Sequence, residues 1–144
     1  MERALALARE CVGHGDVPVG AVVLGPSGDV VGSGRNRREE LGDATAHAEV
    51  EALRSAAGAL GDGWRLGGAT VVVTLEPCVM CTGALVAARV ARVVFAAWDD
   101  KAGACGSVWD LARDPLSLHR VEVVGGVRAA ESGELLRGFF ASRR

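Results

Sequence analysis

The chain has 144 residues, 49% hydrophobic and 24% charged, and a formal net charge of −2. This is the length of one ordinary domain and the balance of a soluble globular protein, so a disordered or low-complexity chain is excluded and one domain over residues 1–144 is expected. The near-neutral charge lends no support to nucleic-acid binding through the field of the whole molecule, and the early apolar run 4–8 ends at Arg9 and Glu10, too short for a leader or a membrane span, so a cytoplasmic protein is expected.

Leu5, Ala8 and Val12 recur at helical spacing until Gly13 and Gly15, which predicts an opening helix. Residues 17–24 and 30–34 are β-branched runs on either side of Gly25-Pro26-Ser27-Gly28, the pattern of an antiparallel hairpin. A second helix is expected over 46–60, capped by Asp43 or Thr45. Residues 69–75 are almost all apolar, as in a strand covered on both faces, and Pro77 separates them from a helix over 78–89. Residues 90–97 repeat the buried-strand pattern; a short helix near Val108, a fifth strand over 121–124 and a last helix with Leu135, Leu136, Phe139 and Phe140 on one face complete the chain. After the initial hairpin, strands and helices alternate. The expected fold is therefore α/β, a three-layer α/β/α arrangement with a mixed five-stranded sheet. The helical crossover between strands three and four puts the start of the 78–89 helix at the carboxyl end of strand three, where open α/β sheets bind ligands.

Four cysteines in a reducing compartment, two of them in a Cys-x-x-Cys spacing, point to metal or redox chemistry rather than disulfides. Cys11 and Cys105 read as small buried hydrophobes. Cys78 and Cys81, three apart, share a helix face and reach one tetrahedral metal; His47 is the candidate third ligand. Three protein ligands leave the fourth zinc position open to water, the mark of a catalytic site. Residues two apart on a helix point to different sides, so His47 and Glu49 serve one site only if the metal lies off the end of the first turn. There the partial positive charge of two helix ends also favours the thiolates. Glu49 is then the proton carrier between water, a ring nitrogen and a departing amine. A lone Cys-x-x-Cys fits a redox pair or half of a structural zinc site equally well; the absence of a second Cys-x-x-Cys argues against a four-thiolate site.

His47-Ala48-Glu49 followed by Pro77-Cys78-Val79-Met80-Cys81 matches the signature of the zinc nucleobase deaminases. Gly15-Asp16-Val17-Pro18-Val19-Gly20-Ala21, Asn36-Arg37, Thr74-Leu75-Glu76-Pro77-Cys78, the segment 99–107 with Lys101-Ala102-Gly103-Ala104, and Phe139-Phe140 with Arg143-Arg144 extend the likeness over nearly the whole length. On these segments the chain resembles the bacterial tRNA-specific adenosine deaminases of the cytidine-deaminase-like superfamily. The resemblance implies one zinc per subunit and conversion of the wobble adenosine of a tRNA to inosine, in a homodimer that binds the anticodon stem-loop. It implies substrate contacts from Asn36, Asp99, Lys101, His119 and Phe140. Leu118, where the family usually carries asparagine, and Val79, in place of its usual proline, depart from the pattern.

Read without the resemblance, several of these residues have plainer roles. Asn36 stabilises a turn, Asp99 and Lys101 belong to a solvated one, and the two phenylalanines are core. Glu76 reads as a structural carboxylate and His14 as a surface residue at a helix end. The basic clusters at Arg35, Arg37 and Arg38 and at Arg137, Arg143 and Arg144 read as solvated faces. Two rival functions stand beside the first: a free nucleobase or nucleoside deaminase of guanine or cytosine type, which the same zinc and Glu49 would serve, and a non-catalytic RNA-binding module held together by zinc.

Overall fold

The computed structural model describes residues 1–143; Arg144 lies outside the described residues. Five strands, β1 Gly20–Leu24, β2 Val30–Arg35, β3 Thr70–Leu75, β4 Arg92–Ala97 and β5 Glu122–Val124, form one sheet in the order β2-β1-β3-β4-β5. β1 runs antiparallel to β2 and β3, whereas β3, β4 and β5 run parallel, so the sheet is mixed as expected. The helices are α1 Glu2–Cys11, α2 Arg38–Leu41, α3 Ala48–Ala56, α4 Val79–Ala87 and α5 Ala129–Ala141. None is long and apolar enough to cross a membrane.

Alternation along the strands separates the two faces. Ala21, Val23, Val71, Val73, Val93 and Phe95 join Ala48, Ala52, Leu53 and Ala56 of α3 and Leu85 of α4 in the main core. On the other face lie α1, with Ala4, Leu5, Ala8 and Cys11 buried, and α5, whose Ser132 hydroxyl donates to the Thr74 carbonyl. The α3 side depends on small residues. A methyl added at Gly34 would sit 2.5 Å from the Ala52 nitrogen and 2.6 Å from the Ala48 carbonyl oxygen. Gly32 and Gly34 facing Ala48, Ala52 and Ala56 let the helix backbone rest on β2, and that close approach sets the height of the first turn of α3 above the strand ends.

Several expected boundaries move, each for a local reason. β1 starts at Gly20 rather than residue 17, since Val19 N–H donates to the Val17 carbonyl and leaves the ladder. α3 is shorter than 46–60: Ala46 accepts from Arg37 N–H across the loop, and Ala57 has already left helical geometry. Its cap is neither Asp43 nor Thr45. Asp43 Oδ1 instead accepts from both the N–H and the hydroxyl of Thr45, each at 2.8 Å, and His47 occupies the cap position with an extended backbone. The short helix expected near Val108 is replaced by turns and by a 3₁₀ turn at Leu111–Arg113: the N–H groups of Val108 and Trp109 both donate back to the Gly103 carbonyl, and that of Leu111 to the Ala104 carbonyl. On α5 the four apolar residues do not share one face: Phe139 is buried and Phe140 is 52% exposed.

Candidate active site

The carboxyl ends of β3 and β4 meet the amino-terminal ends of α3 and α4. His47 is the cap residue of α3 and Cys78 that of α4, both with extended backbone, and Cys81 lies one turn further into α4. His47 Nδ1 is 3.7 Å from Cys78 Sγ and 3.5 Å from Cys81 Sγ, and the three ligand atoms all lie within 4.8 Å of one another. Bonds of about 2.3 Å to sulfur and about 2.0–2.1 Å to nitrogen in a tetrahedron require ligand–ligand edges of about 3.5–3.8 Å. The observed N–S separations meet that requirement, and an imidazole with two thiols is a zinc donor set. All four cysteines are free thiols.

The Cys78 thiol is pulled down to about 4, first by its hydrogen bond with Cys81 and then by that with His47. Cys81 is pushed up by its contact with Cys78 and by burial. A dication bound there would favour both sulfurs as thiolates. Glu49 stands in the first turn of α3, lines the same cleft and is 4% exposed. Burial pushes its carboxyl up to about 7, and the neighbouring Cys78 charge adds to the shift. His47 as cap with Glu49 two residues on satisfies the end-on condition that lets both serve one centre.

The cleft encloses about 230 Å³; Val17, Val19 and Leu75 form its apolar walls, and Asn36, Arg38, Glu49 and Asp99 are among its polar lining. Asn36 is 6% exposed, with Nδ2 donating to the Val17 carbonyl at 3.0 Å and Oδ1 accepting from Arg38 N–H at 3.4 Å. It both stabilises the turn and borders the cleft. Asp99 also borders it, while its Oδ1 accepts from the N–H groups of Lys101 and Ala102. Lys101 and Phe140 are not in this cleft; they line a second, more open one with Arg137 and Arg143. His119 is not brought to either. Its Nε2 lies 2.7 Å from the Val90 carbonyl oxygen, near the amino-terminal end of β4, opposite to the end that carries the cysteines.

Two buried carboxylates organise the surroundings. Glu76 is 2% exposed and accepts from the N–H groups of Asp99 at 3.0 Å, Cys105 at 3.0 Å and Ser107 at 3.1 Å, which folds the 99–107 loop over the cysteines. Gly103 pairs with Cys78 in an isolated bridge, and any side chain there would strike the Glu76 carboxylate. Asp16, fully buried, accepts from the N–H groups of Glu39 at 2.7 Å and Glu40 at 3.2 Å and so fixes α2, an element that the sequence pattern did not reveal. Glu40 is in turn held down to about 2 by Arg37 and Arg35, so these two arginines are paired rather than merely solvated.

An imidazole and two thiols at the ends of two helices, with a buried carboxylate beside them and a slot walled by apolar side chains, make the architecture of the zinc-dependent nucleobase deaminases. Residues 1–97 match the cytidine and deoxycytidylate deaminase zinc-binding region. The tRNA-specific adenosine deaminase of Bacillus subtilis is 42% identical over 144 residues, covering 100% of this chain and 88% of that protein. A solved structure of a tRNA:A34 deaminase, described for A-to-I editing at the wobble position, superposes with a TM-score of 0.88 and 43% identity over 94% of this chain and 97% of the other. A protein of Deinococcus radiodurans named tRNA(Ile)-lysidine synthase is 51% identical over 144 residues, all of this chain, which spans only 24% of its length. The chain belongs to the cytidine and deoxycytidylate deaminase zinc-binding family, and over its whole length it is similar to proteins named tRNA-specific adenosine deaminase.

Proposed function

We propose that this chain is a zinc-dependent hydrolase that deaminates adenosine to inosine at the wobble position of tRNA. The observation that carries the reading is the joint placement of His47, Cys78, Cys81 and Glu49 at one end of the sheet, in a chain 42% identical to a full-length tRNA-specific adenosine deaminase. His47, Cys78 and Cys81 would hold one zinc per subunit. When bound, the metal supplies a Lewis acid that lowers the pKa of a water in its open position. Glu49 takes a proton from the attacking water with its carboxylate and delivers it to ring nitrogen N1 of adenine, then takes the proton of the hydroxyl newly added at C6 and delivers it to the departing amine. Water adds at C6 and ammonia leaves, which gives the 6-keto group of inosine. Asn36 and Asp99 orient the base from the rim, while Val17, Val19 and Leu75 exclude water from its faces. Lys101 and Phe140 serve the flanking RNA from the second cleft; the reading gives His119 an RNA contact only on a surface remote from the cysteines.

Zinc-loaded protein incubated separately with an adenosine-containing anticodon stem-loop, free adenosine and free guanine tests the substrate. Inosine and ammonia are expected from the stem-loop, with about one zinc per chain by elemental analysis. Turnover of guanine alone would replace this reading with a free-base deaminase, and protein that purifies without zinc or with a Cys78–Cys81 disulfide would remove the metal assignment.

A homodimer and a cytoplasmic location belong to the same reading, with residues 1–144 acting as one deaminase domain. The dimer is supported by α4, which carries no charged side chain although Val79, Gly83 and Ala87 face outward. Its Gly83 and Val86 border a groove shared with Leu116, which is 92% exposed, and Leu118 nearby is 88% exposed. Large apolar side chains so exposed mark a surface that a partner covers. Light scattering at micromolar concentration is expected to give twice the chain mass of 14.8 kDa. A monomer that deaminates the stem-loop would show that no shared surface is needed.

A further inference from the structure

Three arginines stand close together beside the cleft, in unequal surroundings. Arg35 Nη1 lies 2.7 Å from Glu40 Oε2, and Arg37 Nη2 lies 2.9 Å from Glu40 Oε1. Arg38, the first residue of α2, is exposed and lines the cleft, yet among the described residues it forms no ion pair. Its backbone is pinned from both sides: its own N–H donates to Asn36 Oδ1, and the next two N–H groups donate to the buried Asp16 carboxylate. The guanidinium thus hangs from a fixed point.

The remaining charged side chains of the cleft make that position significant. Glu49, Glu76 and Asp99 all line it, and among the described residues no other arginine or lysine does. A base attached to a phosphodiester chain brings negative charge to the mouth of a cleft that already holds three carboxyl groups. One unpaired guanidinium offsets that charge and offers a two-pronged donor matched to phosphate oxygens. We propose that Arg38 grips the phosphate flanking the base that enters the cleft, so that the site selects a nucleotide within a phosphodiester chain over a free nucleoside or base. The inference rests on the deaminase reading above and names the residue through which it distinguishes polynucleotide from small molecule.

The test compares zinc-loaded wild type with Arg38→Ala and Arg38→Lys on the anticodon stem-loop over about 50–200 mM salt. Arg38→Ala is expected to raise KM about tenfold with kcat largely retained, and to make the plot of log(kcat/KM) against log salt shallower by about 0.7, the value of one single-strand phosphate contact. Arg38→Lys, which keeps the charge but not the fork, should restore the slope and only part of the affinity. As competitive inhibitors, adenosine 3′,5′-bisphosphate should outdo adenosine against the wild type and lose that advantage against Arg38→Ala. An Arg38→Ala enzyme with wild-type KM and salt slope, or a loss confined to kcat, would overturn the inference while leaving the deaminase reading intact. A wild type that turns over guanine but not the stem-loop would overturn both.

Discussion

Glu49→Gln is expected to keep zinc at about one per chain and to bind the stem-loop normally, while kcat falls by at least the roughly 10²–10⁴ that general acid–base catalysis contributes. Glutamine has nearly the shape of glutamate, so a side chain only 4% exposed is replaced without opening a cavity beside α3. The three ligand atoms belong to His47, Cys78 and Cys81, and none is touched by the change. What is lost is the only carboxylate in the first turn of α3 that both borders the cleft and is buried. Its amide replacement cannot accept a proton from water or return one to the amine, and the deficit should exceed the usual range because one group acts at several steps. Single-turnover inosine formation with elemental analysis of the same sample is the measurement. A zinc-loaded Glu49→Gln enzyme that forms inosine near the wild-type rate would refute the assignment of the proton carrier.

The residues of this centre were legible in the sequence for a chemical reason. A tetrahedral zinc with an open position needs particular side-chain types at particular spacings, and helix ends after Pro77 and near Thr45 restrict where those residues can point. The parallel pairing of β3 with β4 followed from two apolar runs joined by a helix, because a right-handed crossover leaves little choice.

The supporting shell was legible only in part, also for a physical reason: Glu76 read as a structural carboxylate, but neither its partners nor the role of Asp16 could be read. Glu76 bonds to N–H groups 23, 29 and 31 residues further along, and Asp16 to N–H groups 23 and 24 residues away. Such contacts depend on the finished fold and leave no periodic trace in the chain. The same holds for the three arginines: their types are plain in the sequence, but the positions of Glu40, Glu10 and Glu51 in the finished fold separate Arg35 and Arg37 from Arg38. Hydrophobic periodicity likewise could not divide Phe139 from Phe140, because adjacent residues on a helix differ by about 100° and the edge of the buried stripe falls between them.

Cys78→Ser is expected to lose zinc and activity together, and its thermal midpoint should no longer respond to a chelator, whereas the wild type should melt at a lower temperature once its metal is removed. The serine variant is informative because two roles of Cys78 oppose each other under this substitution. As cap of α4 the residue needs a small polar side chain, and serine is a better cap than cysteine, so the helix itself should not suffer. The backbone links that hold the position, Thr82 N–H to the Cys78 carbonyl at 2.8 Å and the bridge to Gly103, do not depend on the side chain. The metal role does: a hydroxyl with an alcohol's pKa is a poor zinc ligand at neutral pH, and two protein ligands in place of three weaken binding steeply. Zinc that binds only the folded chain stabilises it by an amount that grows with the ratio of free metal to Kd, so a variant with much weaker binding has that contribution neither to gain nor to lose. Zinc per chain after dialysis, and melting with and without chelator, provide the readout. A serine variant that keeps its zinc through dialysis and still forms inosine would show that Cys78 is not a ligand and that the cage has been drawn from the wrong residues.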